Sequence, residues 1–327
     1  MARISFPREG YGGSQITRER LEKIYFRALE TRIKKRLQKV FDDSAGVKEK
    51  CAARYFKNNL RKILLSQPEE LVKIRHYVLN RYLGLFDARD DKSFNKRILK
   101  AFDYDGYRNG LLVALAKRLD IKTCPYCNAH YTLFLDVKGL KDHPEGLAKF
   151  QFDHFLNKGD APFLSMSLYN LIPSCAVCNS SKSNKDWPLQ LNPYVSDINS
   201  LFEFRVYKPL RLWTGAKPRG LIKIQMKPTR PENTEAVSTL DKEVYLSQRY
   251  GRHWDVAQDV FERAYTYPYY SDKNNFRNML TPLDEEKLKK IWMGNYTKKS
   301  EIELQPLTKF RQDLWKQANR ELGRKMW

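Results

Sequence analysis

The chain has 327 residues, with 60 Lys and Arg against 38 Asp and Glu and a formal net charge of +22. A hydrophobic fraction of 42% with 13% aromatics excludes a disordered chain. A transmembrane helix is excluded by the absence of any apolar run of about 18 residues, and the start Met1-Ala2-Arg3-Ile4-Ser5-Phe6-Pro7-Arg8 lacks the apolar core of a signal peptide.

The excess charge is uneven. Residues 1–120 carry 28 Lys and Arg against 15 Asp and Glu, residues 121–200 carry 7 against 7, and residues 201–327 carry 25 against 16. A neutral centre between basic flanks suits a protein that holds a polyanion by its flanks. Solvated helix faces on a generally basic protein would leave the same balance. The expected division is 1–120, a basic helical domain; 121–200, a small α+β module; and 201–327, a hairpin with a helical region.

In the first segment Leu21, Ile24, Tyr25, Ala28, Leu29, Ile33, Leu37, Val40 and Phe41 recur at steps of three and four. That spacing predicts one long amphipathic helix, with Thr17 as its N-cap and Gly46 beyond its end. A second helix is expected over 47–64, burying Val47, Cys51, Tyr55, Phe56, Leu60, Ile63 and Leu64. Pro68, with Glu69 and Glu70 in the first turn, opens a third through Tyr82. Two more, 94–102 and 106–119, complete an all-α domain suited to clamping DNA or docking a partner.

The centre reads as short strands and one helix. Residues 131–137 are β-rich, and 138–146 read as a loop containing His143. A strand over 150–156 carries Asp153-His154, and a second short strand holds Leu171-Ile172. A helix over 178–185 presents Ser180, Ser181, Lys182, Ser183 and Lys185, of which Lys182 and Lys185 are expected phosphate contacts. Residues 189–199, with Pro193, read as a linker. Strands over 201–207 and 221–227 flank Trp213-Thr214-Gly215. Helices follow over 235–250, 252–267, 284–292 (after Pro282) and 306–322. The run Tyr265-Thr266-Tyr267-Pro268-Tyr269-Tyr270 fits an aromatic core better than a base-stacking platform.

Two C-x-x-C pairs, Cys124-Pro125-Tyr126-Cys127 and Cys175-Ala176-Val177-Cys178, stand 47 residues apart. Four thiols in two knuckles have the spacing of a closed tetrahedral zinc site, Cys124, Cys127, Cys175 and Cys178 being the ligands. In a reducing cytosol, the expected compartment, clustered cysteines mean metal rather than disulfides. His130 is structural or a substitute ligand, and Cys51 is a small core residue. Within the insert lie Asp153, His154 and Asn170, and Asn179 directly follows the last cysteine.

The order Asp-His, Asn, then Asn after the last Cys resembles the HNH (His-Asn-His) nucleases of the ββα-metal class, over about residues 124–185. The resemblance implies a mainly α protein with a small α+β centre, a ββα-metal core with zinc knuckles flanked by helical domains. It also implies a metal-dependent endonuclease. A neutral imidazole can take the proton of a nucleophilic water, and hard oxygen ligands suit Mg²⁺ or Mn²⁺. His154 is then the general base, Asp153 and Asn179 the catalytic-metal ligands, and Asn170 the residue that orients the imidazole. Adjacent strand residues point to opposite faces, so Asp153 and His154 converge only where the strand ends or bends.

The layout is also similar to nuclease subunits of Septu-type and retron-associated anti-phage systems. It shares the runs Phe152-Asp153-His154-Phe155 and Tyr169-Asn170-Leu171-Ile172-Pro173-Ser174-Cys175. That similarity implies a defence role and a partner ATPase. The expected substrate is DNA; the same chemistry on RNA such as a tRNA, and a non-catalytic zinc-stabilised nucleic-acid-binding protein, stay open.

Overall fold

A computed structural model describes residues 3–87, 90, 92–137, 146–207, 222–271 and 285–323. They group into two compact units. One takes Arg3–Ile121 and Thr132–Ser196; the other takes Lys122–Tyr131 and Asp197–Trp327. Both are mainly helical, with four two-stranded antiparallel sheets among the described residues. No described helix is long and apolar enough to cross a membrane.

The first unit opens with strands β1 (Arg8–Glu9) and β2 (Gln15–Ile16) and the long helix α1 (Arg18–Asp42). Thr17 caps α1, its side chain accepting the Arg20 N–H. The buried residues Leu21, Tyr25, Leu29, Ile33 and Leu37 form one ridge of step four. The expected second helix is two helices, α2 (Val47–Asn58) and α3 (Leu60–Leu65), parted at Asn59, whose amide bonds back to the Tyr55 carbonyl. α2 buries Ala52, Ala53 and Phe56, so Cys51 and Val47 are exposed rather than core. Helices α4 (Pro68–Arg81) and α5 (Phe94–Phe102) lie where expected, and the last expected helix splits into α6 (Tyr104–Tyr107) and α7 (Leu111–Leu119).

The strands β3 (Phe134–Leu135) and β4 (Leu147–Ala148) replace the longer strand expected over 131–137. Residues 138–145, with His143, lie outside the described residues. Next come β5 (Gln151–His154), β6 (Leu171–Ser174) and α8 (Ala176–Lys182). The N-terminal helices share one core with the segment ahead of β6, so a boundary at residue 120 separates no core here. Phe56 stacks on Phe163 with centroids 5.0 Å apart. Tyr25 donates its hydroxyl to the Met166 carbonyl at 2.9 Å, and Ser167 donates to the Ile63 carbonyl at 2.6 Å. Residues 189–199 are not a loose linker, because Leu191, Tyr194 and Ile198 are buried.

In the second unit α9 (Ile198–Leu201) leads into β7 (Phe202–Val206), which pairs with β8 (Ile224–Pro228). The helices are α10 (Thr234–Val244), α11 (Leu246–Gly251), α12 (Trp254–Ser271), α13 (Glu285–Met293) and α14 (Thr308–Glu321). Tyr245, at φ 53°, breaks the helix expected over 235–250. A buried ion pair on α14, Lys309 to Asp313 at 2.8 Å, fastens β7: Lys309 donates to the Phe202 carbonyl and Asp313 accepts the Phe204 N–H. Tyr267 packs on Trp292 and Trp315, in line with the core reading, while Tyr265 is exposed. Residue 221, Trp213-Thr214-Gly215, Pro282 and the side chains of Pro268, Tyr269 and Tyr270 lie outside the described residues.

Candidate functional site

The first cysteine pair sits in a tight loop. Thr123 bridges to Tyr131, and the Cys124 N–H donates to the His130 carbonyl at 2.9 Å. The His130 side chain is exposed, so it is the backbone of His130, not its imidazole, that closes the knuckle. Asn128, at φ 51°, turns the chain, and its amide donates to the Ile302 carbonyl and accepts from the Lys309 N–H. The Tyr250 hydroxyl donates to the Cys127 carbonyl. In the second pair, Cys175 is the N-cap of α8 and its sulfur accepts the Cys178 N–H at 3.4 Å.

The four sulfurs of Cys124, Cys127, Cys175 and Cys178 lie within 4.8 Å of one another, and all four residues are buried. Tetrahedral Zn–S bonds of about 2.3 Å place sulfurs roughly 3.8 Å apart, so the group needs little adjustment to close on an ion. Backbone N–H groups aimed at sulfur, from Cys178 and from Ala129 to Cys127 at 3.3 Å, favour thiolate over thiol. The group could hold a metal ion such as zinc.

The other residues singled out in the sequence meet in the first unit. β5 pairs with β6 in the register Asp153↔Ile172 and His154↔Leu171, and α8 packs back on β5. β5 ends at His154, as convergence of the adjacent Asp153 and His154 requires. Asp153, His154 and Asn179 line one polar cleft of about 310 Å³, joined by Gln151, Tyr104, Arg108 and Lys158. Ser183 also lines it; at φ 49° it ends α8 in a conformation strained for a residue with a Cβ.

His154 is half-buried, with its ring nitrogen Nε2 3.0 Å from the Ser165 carbonyl. A carbonyl only accepts, so Nε2 carries the hydrogen and Nδ1 keeps the lone pair. The Tyr104 ring packs edge-on at 4.5 Å. Loss of solvent around the ring, with help from the nearby Lys158 charge, pushes the imidazole down to about 3, so it is neutral at ordinary pH. Burial holds the Tyr104 phenol up at about 12.

Asn170 has a different task from the one expected. Its oxygen accepts the Leu156 N–H at 2.6 Å, and its two N–H groups go to the carbonyls of Leu156 and Leu164. One acceptor and two donors are thereby spent on backbone, leaving no hydrogen for the imidazole. Ser165, not Asn170, orients His154; Asn170 pins the loop that ends at Ser165.

Asn179 donates its amide nitrogen to Gln151 Oε1 at 2.5 Å, a bond that does not use its carbonyl oxygen. Together with the Asp153 carboxylate it offers hard oxygens of the kind that hold Mg²⁺ or Mn²⁺.

Lys182 does not meet phosphate as expected. It is fully buried, donating to the His154 carbonyl at 2.9 Å with its Nζ 3.4 Å from Asp153 Oδ1, between Phe155 and Trp187. A side chain so enclosed cannot reach nucleic acid; Lys185, by contrast, is exposed. Tyr104 and Arg108, from outside the 124–185 run, and Lys158, from within it, join the cleft at positions the motif does not single out. Only the excess of cations over 1–120 hinted at Arg108.

No family model, curated protein or solved structure matches this chain.

Proposed function

We propose that the chain is a metal-dependent endonuclease of the HNH type that hydrolyses phosphodiester bonds of nucleic acid, DNA being the favoured substrate. What carries this reading is the meeting of Asp153, His154 and Asn179 in one polar cleft, with the His154 ring in a defined tautomer. The strand–strand–helix order of β5, β6 and α8 supports it. The resemblance in the central run would place the enzyme in anti-phage defence beside a partner ATPase.

In this mechanism Nδ1 of His154 accepts the proton of the attacking water, while the Ser165 carbonyl keeps the ring from turning. A free imidazole pushed so low is a weak base, but an incoming phosphodiester brings negative charge beside it and raises its proton affinity. Lys158, stacked 4.3 Å over the Tyr104 ring, and Arg108 give the cleft two cations for the phosphate. Asp153 and Asn179 would hold Mg²⁺ or Mn²⁺, which when bound neutralises charge on the phosphate and the leaving oxygen.

The test is incubation of purified protein with plasmid DNA, or with total RNA, in the presence of Mg²⁺. Wild type should cut and His154→Ala should lose on the order of 10² to 10⁴ in rate while still binding. Equal cutting by a folded His154→Ala would reject the mechanism. Binding of both nucleic acids without cleavage of either would instead make the chain a zinc-stabilised binding protein.

A further inference from the structure

Outside the cleft, the strongest unexplained feature is the solvent side of α1. Opposite the buried ridge Leu21–Tyr25–Leu29–Ile33–Leu37 runs a second ridge of step four: Lys23, Arg27, Thr31, Lys35 and Lys39, every one exposed. Each follows a buried residue by two positions, about 200° around the helix, so the ridge stays exposed along the whole element while winding around it by about 40° per step.

The four cations of this ridge meet no carboxylate among the described residues, whereas Glu22, Glu30 and Asp42 of the same helix are engaged elsewhere. Glu30 pairs with Lys34 at 2.6 Å, Glu22 accepts the Tyr169 hydroxyl, and Asp42 accepts from Gln38. Four unpaired like charges on one helix repel one another, a standing cost in the absence of an anion.

The ridge is joined to the cleft through α6. Arg36 reaches back from α1 to Asp103 at 2.7 Å, and the Arg32 guanidinium lies 5.7 Å from the Tyr107 ring centroid. Asp103 caps, and Tyr107 closes, the short helix that brings Tyr104 and Asp105, and Arg108 just after it, to the cleft. At the C-terminal end of α1, Arg32, Lys35 and Lys39, with Lys57 of α2, line a shallow groove that Asp42 and Asp43 also border.

We infer that the basic ridge of α1 is a phosphate track, a binding surface for the backbone of a nucleic acid that continues beyond the cleft over Arg108. The inference rests on the nuclease reading for its connection to the cleft. Its chemistry is sequence-independent: lysines and arginines at a helical step of about 6 Å match repeated backbone phosphates rather than base edges.

The test is binding to a fluorescein-labelled DNA duplex of about 20 base pairs, nearly twice what a helix of this length can lie along, with RNA of the same sequence as a second arm. It is done without Mg²⁺, so that nothing is cut, on full-length wild type and two charge-matched variants. One carries Lys23→Gln, Arg27→Gln, Lys35→Gln and Lys39→Gln. The other carries Lys227→Gln, Lys242→Gln, Arg252→Gln and Lys287→Gln, all exposed positions of the second unit. Thermal denaturation confirms that each is folded.

The α1 variant should bind roughly 10²-fold more weakly than wild type near 0.1 M salt, with a log–log salt slope shallower by about 3 to 4. The control should lose much less. The same pattern with RNA alone keeps the track and assigns it to RNA. Equal losses in both variants would reduce the effect to net charge and overturn the inference, as would an α1 variant that binds like wild type. Cleavage with Mg²⁺ is scored on the same preparations. A protein that binds through α1 and never cuts retains the track and loses the nuclease reading; one that cuts with an inert α1 loses the track alone.

Discussion

Lys182 is ion-paired to Asp153 beneath the cleft, Nζ 3.4 Å from Oδ1, with side-chain exposures of 0% and 3%. The proposed metal ligand thus already has a cation beside it, and the same ammonium holds the carbonyl of the proposed base at 2.9 Å. One buried side chain ties together the two residues on which the chemistry depends.

Lys182→Met should therefore leave a carboxylate buried without that cation, and breaking such a pair destabilises by roughly 3–5 kcal/mol. Because a divalent ion at Asp153 would replace the lost charge, Mg²⁺ should raise the melting temperature of the variant more than that of wild type. Lys182→Arg, which keeps the charge, should lose less. A Lys182→Met protein with an unchanged melting temperature would show that the pair contributes nothing to the fold.

The imidazole of His154 makes stability depend on pH in a defined direction. Unfolded, it titrates near 6.5; in the fold, burial keeps it neutral down to about 3. Between those values the unfolded chain takes up a proton that the folded chain does not, so stability present above pH 6.5 is lost as the pH falls toward 3. Acid unfolding of His154→Ala should be correspondingly less steep across that window than that of wild type. Superimposable profiles for the two proteins would mean that the ring is not held neutral.

Asn170→Ala removes three hydrogen bonds to backbone, each group left unpaired costing about 1–3 kcal/mol. The expected result is a marked fall in melting temperature together with activity, because the freed loop carries Ser165, which fixes the His154 ring. Full stability with reduced turnover would instead mean that Asn170 acts on the chemistry directly.

If the four cysteines hold zinc, purified protein should contain about one zinc ion per chain, and Cys178→Ser should lower both zinc content and melting temperature. His154→Ala and Asn179→Ala should leave zinc content unchanged, since neither is a thiolate ligand. Metal-free protein that melts as high as the zinc-loaded form would remove the structural role.

By itself the sequence determined the local elements and the candidate ligands. Helix α1 with its Thr17 cap, α5, the paired strands β5 and β6 and the two cysteine knuckles all follow from short-range rules: step-four apolar spacing, capping chemistry and ligand spacing. Those rules act between residues close in the chain, so one sequence suffices to read them. They could not reach Lys182, which stands in the polar run Ser180-Ser181-Lys182-Ser183 and has every local mark of a solvated position. Only the meeting of Asp153, Phe155 and Trp187 around it turns that lysine inward. In the same way Asn170 was legible as a site residue but not as the pin of the Leu156–Leu164 backbone, and the burial of Leu191 and Tyr194 hid in a stretch that reads as linker. Tyr104 and Arg108 join the cleft from outside the 124–185 run, and Lys158 joins it from within that run at no motif position. Whether a polar group is paired or solvated depends on what lies across space from it, and the tertiary fold alone decides that.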